Sequence, residues 1–245
     1  MQKYYRGWLL MLFSAIALHI SAQTTMSAIQ NSGKLVPFTQ QYLQYTETKE
    51  GLINFNAILT RSVEKSTYQG QPAWLIIQTY QTNKNINKDS SFCHLQTLAP
   101  IAYFTDIKTE SYRENVFFAG DAIANNIYFK DSIQQFTRKA ADVFNGVMTD
   151  DLVSMLPFAA GKEFQLKTVN PGLHYFEYTT RIVVDDKEEI TLPDDKKVLC
   201  WKLRVYQGAG DSFATHWYSA DNHRQLKTRS VFKNGNAFVR VAIAG

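Results

Sequence analysis

Only five histidines are present, His19, His94, His174, His216 and His223. No two of them stand at i, i+2 or i, i+4, so the chain has no local zinc motif. His216 and His223 flank a turn that holds Asp221, which makes either a weak metal site or a pair of surface histidines. Cys93 and His94 are adjacent, and neighbours in a strand point to opposite faces, so they make a poor thiol–imidazole pair. Two acidic pairs, Asp150 with Asp151 and Glu188 with Glu189, fall near expected turns, where carboxylates serve as caps or stay solvated. There is no Gly-x-Ser-x-Gly elbow and no glycine-rich phosphate loop. These residues give no general acid, base or nucleophile a fixed partner. The expectation is a non-enzyme with no cofactor and no metal.

Binding chemistry is easier to place, in the C-terminal hairpins. Asn234 and Gly235 form a strong short hairpin signal, because both accept the positive φ of a type I′ turn. A two-residue loop there pairs Lys233 with Asn236. Residues 220–223 then read as a four-residue turn and 207–211 as the turn before it. This register puts Trp201 opposite Trp217, Val205 opposite Phe213 and Arg229 opposite Arg240. One face gathers Leu199, Trp201, Leu203, Val205, Phe213, Trp217, Leu226, Phe232, Val239, Val241 and Ile243. The other gathers Lys202, Arg204, His216, Lys227, Arg229 and Arg240. A slip of one residue would mix the faces, so the clean sorting supports the register. The apolar face is plain core or the wall of an apolar cavity. The basic face is a solvated surface or a site for an anionic group, with the Arg229–Arg240 pair uncomfortable as like charges. The candidate ligand-binding residues are Trp201, Phe213, Trp217, Arg204, Arg229 and Arg240.

The elements that carry these residues are strands. Aromatics make up 13% of the chain, and short apolar-alternating runs recur every 8–12 residues or so between turn residues. Strands are expected over 53–59, 74–80, 91–98, 101–109, 116–118, 126–130 and 133–138. After residue 160 they follow over 163–169, 174–184, 198–206, 212–219, 224–233 and 236–243. Between the two sets, Val143, Phe144, Val147, Leu152, Val153 and Leu156 recur at helical spacing. Asp150 or Asp151 is positioned to cap a short helix there, and Pro157 to end it. The fold class is all-β, an antiparallel meander of about 12–14 strands curled into a barrel or half-barrel, with one short helix near 140–156.

The ends and the charge narrow the setting. Lys3 and Arg6, an apolar run over 8–20 and the small residues before Gln23 have the form of a secretory signal over 1–22, cleaved after Ala22. Residues 23–34 are polar and read as a loose segment, and 35–245 as a single β-barrel-like domain. The net charge of +4 falls to +2 without Lys3 and Arg6, too little to argue for nucleic acid. No cysteine stands near the cleavage point, so no lipid anchor is expected, and no second run approaches a membrane span. Cys93 and Cys200 are the only cysteines. In an oxidising compartment they form a disulfide or remain two buried small hydrophobes.

Three segments resemble a family of exported bacterial cell-envelope proteins of unknown function. They are Asp151-Leu152-Val153-Ser154-Met155-Leu156-Pro157-Phe158-Ala159-Ala160-Gly161, then Val198-Leu199-Cys200-Trp201-Lys202-Leu203, then His216-Trp217-Tyr218-Ser219-Ala220-Asp221-Asn222-His223-Arg224. The likeness covers roughly 90–245. In that family a proline commonly follows the basic residue of the third segment, whereas this chain has Gln225, so a different turn is expected. The resemblance implies an antiparallel barrel or half-barrel, similar in outline to periplasmic lipoprotein carriers, and no catalytic residues. The combined expectation is a periplasmic or secreted binding or carrier-like protein for an apolar or amphiphilic envelope molecule, with a lipid or amphiphile as partner. The alternatives are a structural module that contacts an envelope protein, and a hydrolase whose site forms from distant residues.

Overall fold

The computed structural model describes residues 23–24, 35–108, 112–171, 175–208 and 210–244. The expected signal over 1–22, most of the loose segment and His174 lie outside them. The strands are β1 (Gln23–Thr24), β2 (Phe38–Glu47), β3 (Ile53–Tyr68), β4 (Gln71–Gln81), β5 (Ile86–His94), β6 (Pro100–Ile107), β7 (Tyr112–Ala119), β8 (Ala122–Tyr128), β9 (Ile133–Lys139) and β10 (Phe144–Asn145). A 3-10 turn (Gly146–Met148) and the helix α1 (Thr149–Ser154) follow. Then come β11 (Glu163–Asn170), β12 (Phe176–Thr191), β13 (Lys197–Gln207), β14 (Phe213–Ser219), β15 (Gln225–Val231) and β16 (Ala237–Ala244). β1 and β10 are only two residues long, and both pair parallel with β11. Gln23 and Thr24, expected in a loose segment, therefore extend the sheet edge.

One sheet holds every strand among the described residues. β11 to β16 run as an antiparallel meander, β16 pairs with β2, and β2 to β9 continue the meander. The sheet curls without closing, as expected for a half-barrel. Its two ends meet through side chains: Val169 of β11 packs with Val143, Ala140 and Tyr103, Val116 and Ile123 of β6 to β8. The turn between β3 and β4 shows why local signals worked. Tyr68 pairs with Gln71 across Gln69 and Gly70, and both loop residues have positive φ, the requirement of a primed two-residue hairpin.

The concave face is apolar towards one end. Val63, Ile76, Leu166, Ile182, Leu203 and Tyr218 pack there against Met148, Leu152, Val153 and Leu156 of the helical segment. Each such burial is worth about 1.5–3 kcal/mol. A helix this short is marginal alone. Asn145 Oδ1 accepts from Val147 N, and Thr149 Oγ1 donates to Gly146 O, but most of its stability comes from plugging the half-barrel.

Two loop lengths differ from the sequence expectation, and they decide the faces. Tyr206 pairs with Phe213, so the loop is one residue longer than 207–211. Trp201 therefore lies opposite Tyr218, and Lys202 opposite Trp217. Trp201 and Trp217 consequently point to opposite sides of the sheet, and the single apolar wall proposed for them does not exist. At the last hairpin Phe232 N bonds Asn236 O and Gly235 N bonds Phe232 O. Gly235 alone has positive φ there, which is a three-residue loop ending in a left-handed glycine rather than a type I′ pair. Arg240 thus faces Thr228, while Arg229 faces Val239. The feared Arg229–Arg240 repulsion is absent because the two lie on opposite faces.

Candidate functional site

With this register, strand alternation sends an unexpected set of polar residues inward. Arg61 on β3 shares its face with Leu59 and Val63. Arg240 on β16 sits beside Gln44 of β2. A bulge at Leu226 in β15 brings both Gln225, paired with Tyr218, and Thr228, paired with His216, to the concave side. α1 then lowers Asp150 and Asp151 onto this surface. The acidic pair read as caps or solvated groups is neither: α1 has no side-chain cap, and Asp151 is buried.

Two ion pairs fix the helix. The Arg61 side chain is only 2% exposed. Its Nε donates to Asp151 Oδ1 at 3.2 Å, and its Nη2 donates to Asp151 Oδ2 and, at 3.1 Å, to Val147 O. Gln78 Nε2 donates to the same Val147 carbonyl at 3.2 Å. Arg240 Nη2 donates to Asp150 Oδ2 at 2.6 Å and also to Gln225 Oε1. The Gln225 amide nitrogen shares its hydrogens among Asp150 Oδ1 at 2.8 Å, His216 Nδ1 at 2.8 Å and Tyr218 Oη at 3.1 Å. Tyr42 Oη donates to the Gln225 carbonyl at 3.0 Å. Gln225 is the hub of the cluster.

Burial and charge set the protonation here. Burial opposes the charge of Asp150, but Arg240, His216 and Arg61 outweigh it and hold the carboxyl well below the usual carboxylate range. Burial pushes His216 down to about 4 against the pull of Asp150, so it is a neutral imidazole whose Nδ1 accepts from Gln225. Burial likewise pushes Tyr42 up to about 12. Burial also works against the Arg61 charge, yet Asp151 more than compensates. Every acid and base of the cluster is therefore committed to a partner.

Two hollows open beside α1. The wider, about 670 Å³, has Arg240, Asp150, His216 and Thr228 in its floor and Phe232 and Phe238 among its walls, while Phe213 and Val231 border its edge with their side chains on the convex side of the sheet. The smaller, about 280 Å³, lies between residues 35–38, the C-terminal end of α1 and the 221–225 turn. Of the six residues expected to bind a ligand, only Phe213 and Arg240 border the wider hollow. Trp201 packs on the concave core beside Phe158, at 6.4 Å between ring centroids. Trp217 joins a small convex cluster with Cys200 and Ile190 and donates from Nε1 to Glu188. Arg204 is bound to Asp185 at 3.0 Å and Arg229 to Glu47 at 3.5 Å, both on the convex face. The expected basic face is thus largely neutralised by acids on neighbouring strands.

His216 is buried and His223 half-buried. His223 stacks on Phe158 at 4.4 Å and contacts Ser154 O through Nδ1. The cysteines are free and buried. Cys93 pairs with inward-facing Trp74, whereas Cys200 lies on the convex side, so the sheet itself separates them.

The family described as a protein of unknown function, DUF3108, matches residues 39–241. The chain belongs to this family. The DUF3108 chain also resembles the β-barrel-like protein of the domain of unknown function DUF1849 from Brucella abortus. Identity is 8%, 86% of this chain and 97% of that one are covered, and the TM-score is 0.52. That likeness is one of fold. A protein with a YmcC-like fold from Bacteroides fragilis aligns over 86% of this chain and 96% of its own, at 8% identity and a TM-score of 0.33. No curated protein matches the DUF3108 chain. Among its described residues, no helix is long and apolar enough to cross a membrane.

Proposed function

We propose that this DUF3108 chain is an exported, non-catalytic binding protein that takes an amphiphilic envelope molecule into the wider concave hollow. One observation carries the reading: a charged, donor-rich floor under an exposed apolar rim. Arg240 Nε and Thr228 Oγ1 are buried without a hydrogen-bond partner, and an orphaned buried donor costs about 1–3 kcal/mol until something accepts from it. Around them Phe232 is 49% exposed and Phe238 is half-buried, both on the concave side in phase with Ser230 and Arg240, unlike apolar residues of a filled core. A ligand with acceptor oxygens at one end and an acyl chain at the other suits both halves. The chain would contribute about 0.8 kcal/mol per buried CH₂. Export rests on the charged, apolar and small-residue pattern of residues 1–22.

Native mass spectrometry of protein purified without detergent from its host tests this. An adduct of lipid mass is expected, and Arg240→Met together with Phe232→Ser should remove it while the fold persists by circular dichroism. Protein that carries no adduct, and that fails to enhance the fluorescence of an added fatty acid with a conjugated tetraene, would overturn the proposal.

A further inference from the structure

The smaller hollow is a separate place with its own chemistry. One side is apolar, formed by Leu35, Phe38, Leu156 and Pro157. The other carries two arginines with unmet donors. Arg61 Nη1 and Arg224 Nε are both buried and have no hydrogen-bond partner, although the remaining Arg61 nitrogens are saturated by Asp151 and Val147. The Arg224 guanidinium lies 5.0 Å over the Phe38 ring, which orients it along the wall of the hollow.

Unmet groups that are all donors call for an acceptor. The net charge decides which kind. Arg61 and Arg224 face the hollow together with Asp150, Asp151 and Asp221, and Arg240 neutralises Asp150 from behind. Positive and negative charges balance, so a full anion gains little, and a cation meets two aspartates already paired with Arg61 and Arg240 and only the exposed, solvated Asp221 besides. We infer that this hollow is a second binding site, for a small neutral molecule with a carbonyl oxygen, as in an amide or ester, on a short apolar body. The carbonyl accepts from Arg61 Nη1 and Arg224 Nε, and the apolar body lies along Leu35, Phe38 and Leu156. This site does not depend on the wider hollow, because Arg224 and Leu35 take no part there.

The test is a titration of the full chain with hexanamide, hexanoate and hexylammonium, followed by backbone amide shifts in ¹⁵N–¹H spectra. Hexanamide should saturably shift the amides of Leu35, Met155 and Asn222 and leave those of Phe213 and Val231 in place. Hexanoate should bind more weakly and hexylammonium not at all. Arg224→Met should weaken hexanamide about tenfold, roughly the worth of one charge-assisted hydrogen bond. Val36→Trp, at the exposed mouth, should block it without touching the core. Hexylammonium binding as well as hexanamide, no saturable shift in this set, or full affinity in folded Arg224→Met would each overturn the inference. Loss of the lipid adduct in the Arg240 variant with hexanamide binding intact would separate the two sites.

Discussion

Replacing Arg61 by Met is the sharpest probe of the cluster that anchors α1. The substitution keeps the volume of the aliphatic stem but leaves the Asp151 carboxylate alone at 3% side-chain exposure. Removing one partner of a buried pair costs about 3–5 kcal/mol, since the remaining charge has no solvent and no counter-ion. For a domain of this size a urea m-value of about 3 kcal/mol/M turns that cost into a midpoint about 1–1.7 M lower. The double variant Arg61→Met with Asp151→Leu removes both charges. The Val147 carbonyl keeps its bond from Gln78 Nε2, so no new orphan arises there. The double variant should therefore recover most of the loss, since apolar replacement of a buried pair is neutral or stabilising. Urea melts followed by tryptophan fluorescence, with both single variants and the double, give the coupling energy directly. An Arg61→Met loss under about 1 kcal/mol, or a double variant no better than the singles, would show that the pair does not hold the helix.

Four further outcomes follow from the same geometry. His216 is held neutral with a folded pKa of about 4 against an unfolded value near 6.5. The unfolded chain binds the proton first, so stability should fall as pH drops from about 6.5 to about 4, by up to about 3 kcal/mol; urea melts of His216→Gln at several pH values should show that slope flattened. Gln225→Met removes the amide that joins Asp150, His216 and Arg240, and should cost about 1–3 kcal/mol in the same melts. Gly235 holds φ at +86° with Lys49 Cβ 3.3 Å from where a Cβ would stand, so Gly235→Ala should lower stability by about 1 kcal/mol. Burial pushes the Cys200 thiol up to about 12 and raises Cys93 further, so both should resist a thiol reagent in the native protein and react promptly in denaturant.

The meander was legible because its signals are local. Alternation and turn residues lie within ten positions of each other, and Gln69 with Gly70 act where they stand. Two long strands outran these cues: β3 continues to Tyr68, and β12 passes through a bulge to Thr191. β2 was not read at all, although Gln40, Tyr42 and Gln44 alternate inward along it. The faces of the last hairpins were illegible for a different reason. Asn234 and Gly235 fit a two-residue loop and a three-residue loop equally well, because a glycine at positive φ serves in both. One residue of loop length there puts Arg229 and Arg240 on opposite faces, and the extra residue in the 207–212 loop separates Trp217 from Trp201 in the same way.

The site was hidden because its partners are remote: Asp151 meets Arg61, and Asp150 meets Arg240, each across 90 residues of sequence. Two signals were nevertheless present. Arg61 stands in phase with Leu59 and Val63, and a charge on an apolar face needs a buried counter-charge. Gln225 stands where the resemblance read from the sequence leads one to expect proline. A proline fits the first residue of a strand, so β15 could begin with either. Only glutamine, however, supplies an amide that can bind Arg240 through its oxygen and Asp150, His216 and Tyr218 through its nitrogen. Its inward direction depends in turn on the bulge at Leu226, which gives Gln225 and Thr228 the same face. The floor beneath the wider hollow is thus tied together by one side chain that local strand rules neither require nor forbid.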